Sequence, residues 1–168
     1  MRMEHKKTKI SILVFIALVS LLELKYAYYI SREYAGVYEI GISIPLILQP
    51  LYYYRLLFKE QKTSLRLRII VMGSLSVVLP LVIYFTLPNY TYKQGKQIVK
   101  EYVQVTGKPI FVDIPRGMDT VTLINNPKRL FVSDRAYCYE IKSTGENKYF
   151  LVNPITGEVY KMKNKYWP

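Results

Sequence analysis

Cysteine and histidine are nearly absent from this chain of 168 residues, which contains only Cys138 and His5. One cysteine excludes an intramolecular disulfide, and these two residues cannot supply the His and Cys sets of most transition-metal sites. The sequence also shows no nucleophile with a base, no histidine–glutamate zinc motif and no glycine-rich phosphate loop. It therefore predicts a protein that is not an enzyme and has no catalytic, cofactor-binding or metal-binding residues.

Acidic residues are scarce, because twelve Asp and Glu stand against twenty-four Lys and Arg, giving a formal charge of +12. In a soluble protein such an excess would raise the question of nucleic acid. Here the basic residues before Pro88 mostly lie beside apolar runs, where they bias the orientation of membrane helices. We therefore expect no nucleic-acid partner.

The acidic residues Asp113, Asp119 and Asp134 form the one group that we weighed as a metal site. Calcium loops place their oxygen ligands at regular intervals, and no regular spacing links these three residues. We expect them to cap turns in contact with water.

Long apolar runs fill the first half of the chain and predict a transmembrane domain over residues 10–88, after a basic cytoplasmic tail, residues 1–9. A helix needs about 20 residues to cross roughly 30 Å of hydrocarbon. Pro45 and Pro50 predict a kink in the second helix, and a cleaved signal peptide is the alternative for the first run. The three predicted spanning helices lie at about residues 10–30, 36–58 and 69–87.

The orientation follows from the basic residues on the connecting segments. Four precede the first helix and four lie between the second and third, whereas the first connection holds only Lys25 and Arg32. Because Lys and Arg stay on the cytoplasmic side, the N-terminus is predicted inside and residues 89–168 outside. The predicted location is therefore the cell membrane, with several spans and an extracytoplasmic C-terminal domain.

Glu23 and Glu39 lie near the outer ends of predicted helices. We favour an interfacial position for both, near Lys25 and Arg32, and the alternative is a functional carboxylate within the membrane. Gly73 and Ser76 predict a face of small residues for close helix packing.

The second half predicts a small α+β domain with one helix on an antiparallel meander. Thr91 and Gln94 have the spacing of a capping box at the start of a helix, whose buried stripe would be Ile98, Val99, Tyr102 and Val103. Tyr137, Tyr139, Tyr149 and Tyr160 are expected to pack with their hydroxyls in water, and Cys138 to be a passive thiol. The predicted strands are residues 109–114, 120–124, 129–133, 136–142, 148–153 and 158–162.

The lysine-rich helix and the closing sequence YFLVNPITGEVYKM resemble the PepSY-type extracytoplasmic domains of bacteria. The resemblance covers residues 90–163. It implies a non-catalytic domain of bacterial membrane or secreted proteins that binds or restrains peptidases and other envelope partners. No catalytic residue is implied.

Three hypotheses for function follow. The first is a membrane-anchored, non-enzymatic module that presents its outer domain to an envelope partner, namely a protease, a transporter or a secreted peptide. The alternatives are an immunity protein that protects its membrane from a pore-forming peptide, and an accessory subunit of a membrane transporter. The sequence does not indicate which residues bind a partner.

Overall fold

The computed structural model describes residues 2–59, 65–103, 110–115, 117–123, 130–143 and 146–165. Within these residues the chain is α+β, because four α-helices precede a five-stranded antiparallel sheet, as the sequence predicts. The helices are α1 (Arg2–Glu33), α2 (Ile44–Phe58), α3 (Leu65–Thr86) and α4 (Tyr92–Val103), with a short 3-10 helix (Ile40–Ser43) before α2. The strands are β1 (Ile110–Val112), β2 (Thr120–Thr122), β3 (Arg135–Ser143), β4 (Glu146–Val152) and β5 (Val159–Met162).

The chain divides into two compact units, each built from two separate stretches. The helical unit combines Met1–Tyr29 with Ile40–Phe85, and the sheet unit combines Ile30–Glu39 with Thr86–Pro168. The sequence-based division differs in one respect, because it leaves residues 30–39 with the membrane helices.

Contacts between α1 and α2 show that these helices are antiparallel. Lys9 donates a hydrogen bond from Nζ to the carbonyl oxygen of Leu57 at 2.6 Å, close to the end of α2. Two turns further along α1, Ile16 packs against Tyr53, which lies one turn earlier in α2. The Lys9 ammonium group thereby also caps a helix C-terminus, where cations are favourable.

Contacts between α2 and α3 show that these two helices are also antiparallel. Gly73 lies beside the Tyr53 hydroxyl, 3.8 Å from the point where a Cβ atom would stand. One turn along, the Ser76 hydroxyl donates a hydrogen bond to Gln49 Oε1 at 3.0 Å. The small residues Gly73 and Ser76 therefore contact another helix of the same chain.

One stretch of the described chain, Lys6–Glu33 in α1, is long and apolar enough to cross a membrane. The stretch Gly73–Thr86 in α3 is apolar but shorter, and α2 has 15 residues. One possible span is thus found where the sequence predicts three, and the second and third spans stay predictions.

The second helix begins later than the sequence indicates. Gly36 adopts a left-handed conformation, φ +71°, in a turn after α1, and α2 begins at Ile44 with Pro45 in its first turn. Proline suits this position because the first amide groups of a helix have no intrahelical acceptor. Pro45 therefore marks the start of a helix, and only Pro50 lies inside it.

Strand β3 is the centre of the sheet. One of its edges pairs with β2 near the start and with β1 near the end, and its other edge pairs with β4, which pairs in turn with β5. The meander β3–β4–β5 is confirmed. Within the predicted strand 129–133, Leu130 and Phe131 form a turn in which Phe131 has a φ of +63°, and Val132 forms only an isolated bridge.

The segment Ile30–Glu39 joins the sheet unit through main-chain hydrogen bonds. Tyr38 forms a single antiparallel bridge with Val132, and the amide of Glu39 donates to the carbonyl of Phe131 at 2.8 Å. Val37 is fully buried and its carbonyl accepts a hydrogen bond from the amide of Ser133. The predicted connection, residues 31–35, and the predicted start of the second helix, residues 36–39, are therefore part of the sheet unit.

Candidate functional site

Helix α4 lies on one face of the sheet. A capping box stabilises its first turn, and tyrosines of the sheet bond to its start. The amide of Gln94 donates to Thr91 Oγ1 at 3.2 Å, and the amide of Thr91 donates to Gln94 Oε1 at 2.8 Å, as predicted. Both orphan amides at the helix start are thereby satisfied. Val99 is fully buried, but Tyr102 is exposed, so the buried stripe is shifted toward Gly95.

Two tyrosines of β3 connect the sheet to the start of α4. Tyr137 donates from its hydroxyl to the carbonyl of Tyr90 at 2.9 Å, and Tyr139 donates to the carbonyl of Tyr92 at 2.6 Å. Both side chains are buried, so the expectation that their hydroxyls contact water is wrong for this pair. The rings pack in the core, and burial raises the pKa of both phenols.

Gly95 makes this close packing possible. A Cβ atom at Gly95 would collide with the Tyr139 hydroxyl and stand 3.1 Å from the Tyr137 ring. The sequence contains the glycine, but a glycine inside a helix usually lowers helix stability and gives no hint of what approaches it.

The turn between β4 and β5 fixes the last strand of the sheet. Asn153 is buried, and its Oδ1 accepts hydrogen bonds from the amides of Ile155 at 2.8 Å and Thr156 at 3.3 Å. Gly157 has a φ of +76° and lies against the ring of Tyr90. The hydrogen bonds of Asn153 and the positive φ of Gly157 are typical of a tight turn, and they hold β5 in register with β4.

Strand β5 forms one end of the sheet in the part of the chain that the structure describes. The carbonyl of Glu158 accepts a hydrogen bond from the amide of Asn153 at 3.0 Å. In an antiparallel pair of strands, every second residue bonds to the neighbouring strand, so Tyr160 and Met162 follow Glu158 in facing β4. By this alternation the main-chain groups of Val159 and Lys161 face away from β4. Tyr160 is 44% exposed, and its hydroxyl donates to Glu158 Oε2 at 2.6 Å.

The charge along this edge is mainly positive. Lys161 and Lys163 are exposed on and just after β5, and Glu158 is the acidic residue at its start. The hydrogen bond from Tyr160 engages Glu158 and also raises the pKa of the tyrosine. In the part of the chain that the structure describes, no strand pairs with the outer edge of β5, whose main-chain groups lie beside exposed ammonium groups.

The two glutamates that the sequence singles out lie in different units. Glu39 is exposed in the sheet unit, where its amide bonds to Phe131. Glu23 is only 7% exposed within the helical unit, a burial by neighbouring helices that the sequence does not indicate, and its interfacial depth stays a prediction. Its neighbours Ser20 and Gln49 are also buried, although the sequence analysis did not single them out. The signal was a polar pair at helical spacing, Ser20 and Glu23, within an apolar run.

Cys138 is buried in the sheet unit, and Asp119 caps a turn. Cys138 is fully buried among Val121, Ala136 and Leu151, and burial raises the pKa of its thiol to about 12. Asp119 accepts a hydrogen bond from the amide of Gly117 at 3.2 Å, which is a turn cap of the predicted kind. No group of three or more metal-ligating side chains occurs among the described residues.

Comparisons were made at the level of family, sequence and structure. The resemblance of residues 90–163 to PepSY-type domains stays a prediction. No family model, no curated protein and no solved structure matches the chain.

Proposed function

We propose that this chain is a bacterial cell-membrane protein with three spanning helices that presents a PepSY-like domain to an envelope partner. The distribution of apolar and polar side chains in the helical unit supports its place in a membrane. Phe15, Leu22, Leu51 and Phe85 are exposed, whereas Glu23, Gln49 and Ser20 are buried. This is the reverse of a water-soluble bundle and suits a hydrocarbon solvent.

The lengths of the helices support three spans. At about 1.5 Å per residue, α1 reaches about 48 Å, α3 about 33 Å and α2 alone only about 22 Å. The 3-10 helix before α2 adds about 8 Å at roughly 2 Å per residue, which brings the second segment to about 30 Å. Each segment then matches the roughly 30 Å thickness of a bilayer core. The orientation that we propose has the N-terminus in the cytoplasm and the sheet unit outside.

The open edge of β5 is the observation that carries the proposed binding function. An extended peptide can add a strand to such an edge, where main-chain hydrogen bonds provide affinity. The exposed ammonium groups of Lys161 and Lys163 favour a peptide with acidic side chains. Lysines on an edge strand can also prevent its aggregation with other strands, so the experiment must distinguish binding of a partner from protection against aggregation. The proposed activity is non-enzymatic: the edge holds or restrains a partner through an acidic, extended segment.

Site-specific photocrosslinking in living cells tests this proposal. A photoreactive residue at Lys161 should form crosslinks to an acidic segment of an envelope protein, identified by mass spectrometry of the joined peptides. The same residue at Lys100, which is exposed on α4, is the matched control and should not form them. Lys163→Glu should weaken the Lys161 crosslinks because it places a negative charge beside the acidic segment.

Equal crosslinking from Lys161 and Lys100, or crosslinks to segments without acidic residues, would overturn the proposed site. Crosslinks to cytoplasmic proteins would overturn the proposed orientation as well.

An accessory subunit of a membrane transporter is a second candidate, favoured by the buried polar groups of the helical unit. Glu23→Gln separates the two functions, because a module that acts only through β5 keeps both its crosslink at Lys161 and its effect on the partner in that variant. A subunit that acts through its helices would instead lose transport activity while the crosslink persists.

A further inference from the structure

Three polar side chains from three helices meet inside the helical unit, and a fourth, Ser20, is buried one turn before Glu23. Ser20 and Glu23 lie one turn apart on α1, Gln49 comes from α2 and Ser76 from α3. Glu23 is 7% exposed and Gln49 is 1% exposed. Polar groups at such a position are costly in hydrocarbon and commonly mark a functional site.

The hydrogen bonds of this group leave specific atoms without a partner. Ser76 donates to Gln49 Oε1, which turns the amide nitrogen of Gln49 away from Ser76. Both carboxyl oxygens of Glu23, the Nε2 of Gln49 and the hydroxyl of Ser20 make no hydrogen bond with any residue that the structure describes. Gln49 is close enough to the Glu23 carboxyl to interact with it.

Among the residues that the structure describes, no charged side chain is found to act on the Glu23 carboxyl. Gln49 is the one described side chain whose interaction affects it, and Lys25 on the same helix is exposed. A buried carboxylate without a cation is strongly disfavoured relative to the neutral acid.

We propose that Glu23 is a proton-binding site, with its carboxyl held between Gln49 and Ser20 and neutral at physiological pH. The neutral acid can accept a hydrogen bond from the Gln49 amide and donate one to the Ser20 hydroxyl. With one proton on the carboxyl, both Glu23 oxygens, Gln49 Nε2 and Ser20 Oγ can each form a hydrogen bond. The ionised form can accept both donors too, but it retains a charge that no described side chain neutralises.

The orientation of Gln49 favours a proton over a metal cation as the ligand. Its amide oxygen already accepts from Ser76, so the amide nitrogen is the end available to Glu23. A sodium or potassium ion requires oxygen ligands and would be repelled by that nitrogen. The site therefore suits uptake and release of a proton, and it does not depend on the partner proposed for β5.

Infrared difference spectroscopy of the full chain in lipid vesicles tests the site. Subtracting the spectrum of Glu23→Gln from that of the native chain at pH 7 should show the carbonyl stretch of a protonated carboxylic acid. This band should disappear at alkaline pH. The matched control, Glu39→Gln, removes an exposed glutamate and should leave the acid band of the native chain in place.

Carboxylate bands for Glu23 at pH 7 would overturn the proposal. Loss of the acid band when sodium chloride replaces choline chloride at constant pH would also overturn it, since it would indicate a metal cation site.

A second measurement on the native chain applies if Glu23→Gln does not fold. A membrane-permeant carbodiimide reacts with protonated carboxyl groups, and an exposed glutamate is protonated to only about one part in 500 at pH 7. Glu23, if neutral, should therefore be modified faster than the exposed Glu39. Modification no faster than at Glu39 would overturn the proposal.

Discussion

At the scale of single residues, the sheet unit depends on the close approach of Gly95 to two tyrosines. Gly95→Ala should destabilise the unit by about 1–3 kcal/mol, because the added methyl group overpacks the Tyr139 hydroxyl. The gain in helix propensity from alanine offsets less than about 1 kcal/mol of this. Chemical denaturation in detergent, followed by near-ultraviolet circular dichroism, measures the change.

Gly41→Ala is the control for this substitution, because nothing lies within 4 Å of the added Cβ atom at that position. It should leave the unfolding midpoint nearly unchanged. A higher midpoint for Gly95→Ala than for the native chain would show that Tyr139 moves aside without cost.

The buried hydroxyl of Tyr139 gives a second prediction. Tyr139→Phe removes a hydrogen bond to the Tyr92 carbonyl and should lower the free energy of unfolding by about 0.5–1.5 kcal/mol. Tyr160→Phe removes a bond on an exposed ring and should cost much less. Equal losses in the two variants, measured by urea denaturation, would contradict the assignment of Tyr139 to the core.

At the scale of elements, strand β3 carries two buried phenols and a buried thiol, whose neutral forms are favoured in the folded chain. Burial raises the pKa of the Tyr137 and Tyr139 phenols above 10 and of the Cys138 thiol from 9 to about 12. Tyr92 on α4 has a raised pKa for the same reason. Because the unfolded chain ionises first, these groups stabilise the fold fully below about pH 9 and less at each higher pH.

The expected result is a free energy of unfolding that falls above pH 9–10 and keeps falling to about pH 12. Each group that ionises only on unfolding contributes a slope of about 1.4 kcal/mol per pH unit. Tyr139→Phe should reduce this slope, and Tyr160→Phe, which removes a phenol with a smaller rise in pKa on an exposed ring, should reduce it less. Denaturation curves from pH 8 to pH 12 measure it, and a flat profile would mean that these hydroxyls ionise in the folded state.

At the scale of the whole molecule, the proposed orientation predicts which cysteines a membrane-impermeant maleimide reaches. In a Cys138→Ala background, Lys163→Cys should react in intact cells, and Lys59→Cys only after lysis. Both lysines are exposed, so burial does not explain a difference between them. Native Cys138 should stay unlabelled in both conditions because it is buried and protonated.

Protection of Lys163→Cys until lysis would place the sheet unit in the cytoplasm. An even number of spans would then replace three, and an envelope partner for β5 would be excluded.

The sequence by itself determined the features that depend on neighbouring residues. The capping box of Thr91 and Gln94, the hairpin at Gly157, the meander β3–β4–β5 and the apolar run of α1 all follow from local chemistry. Local pattern also indicated that Gly73 and Ser76 pack closely against a helix.

Only the tertiary structure decided which distant residues meet. The pairing of Tyr38 with Val132 joins two residues that are 94 positions apart in the chain, and no local sequence pattern predicts it. The same holds for Glu23 and Gln49, which lie on separate helices, so the sequence could not tell a buried carboxyl from an interfacial one. Burial is a property of the packed chain, and for Glu23, Tyr137 and Tyr139 it changed the interpretation of the residue.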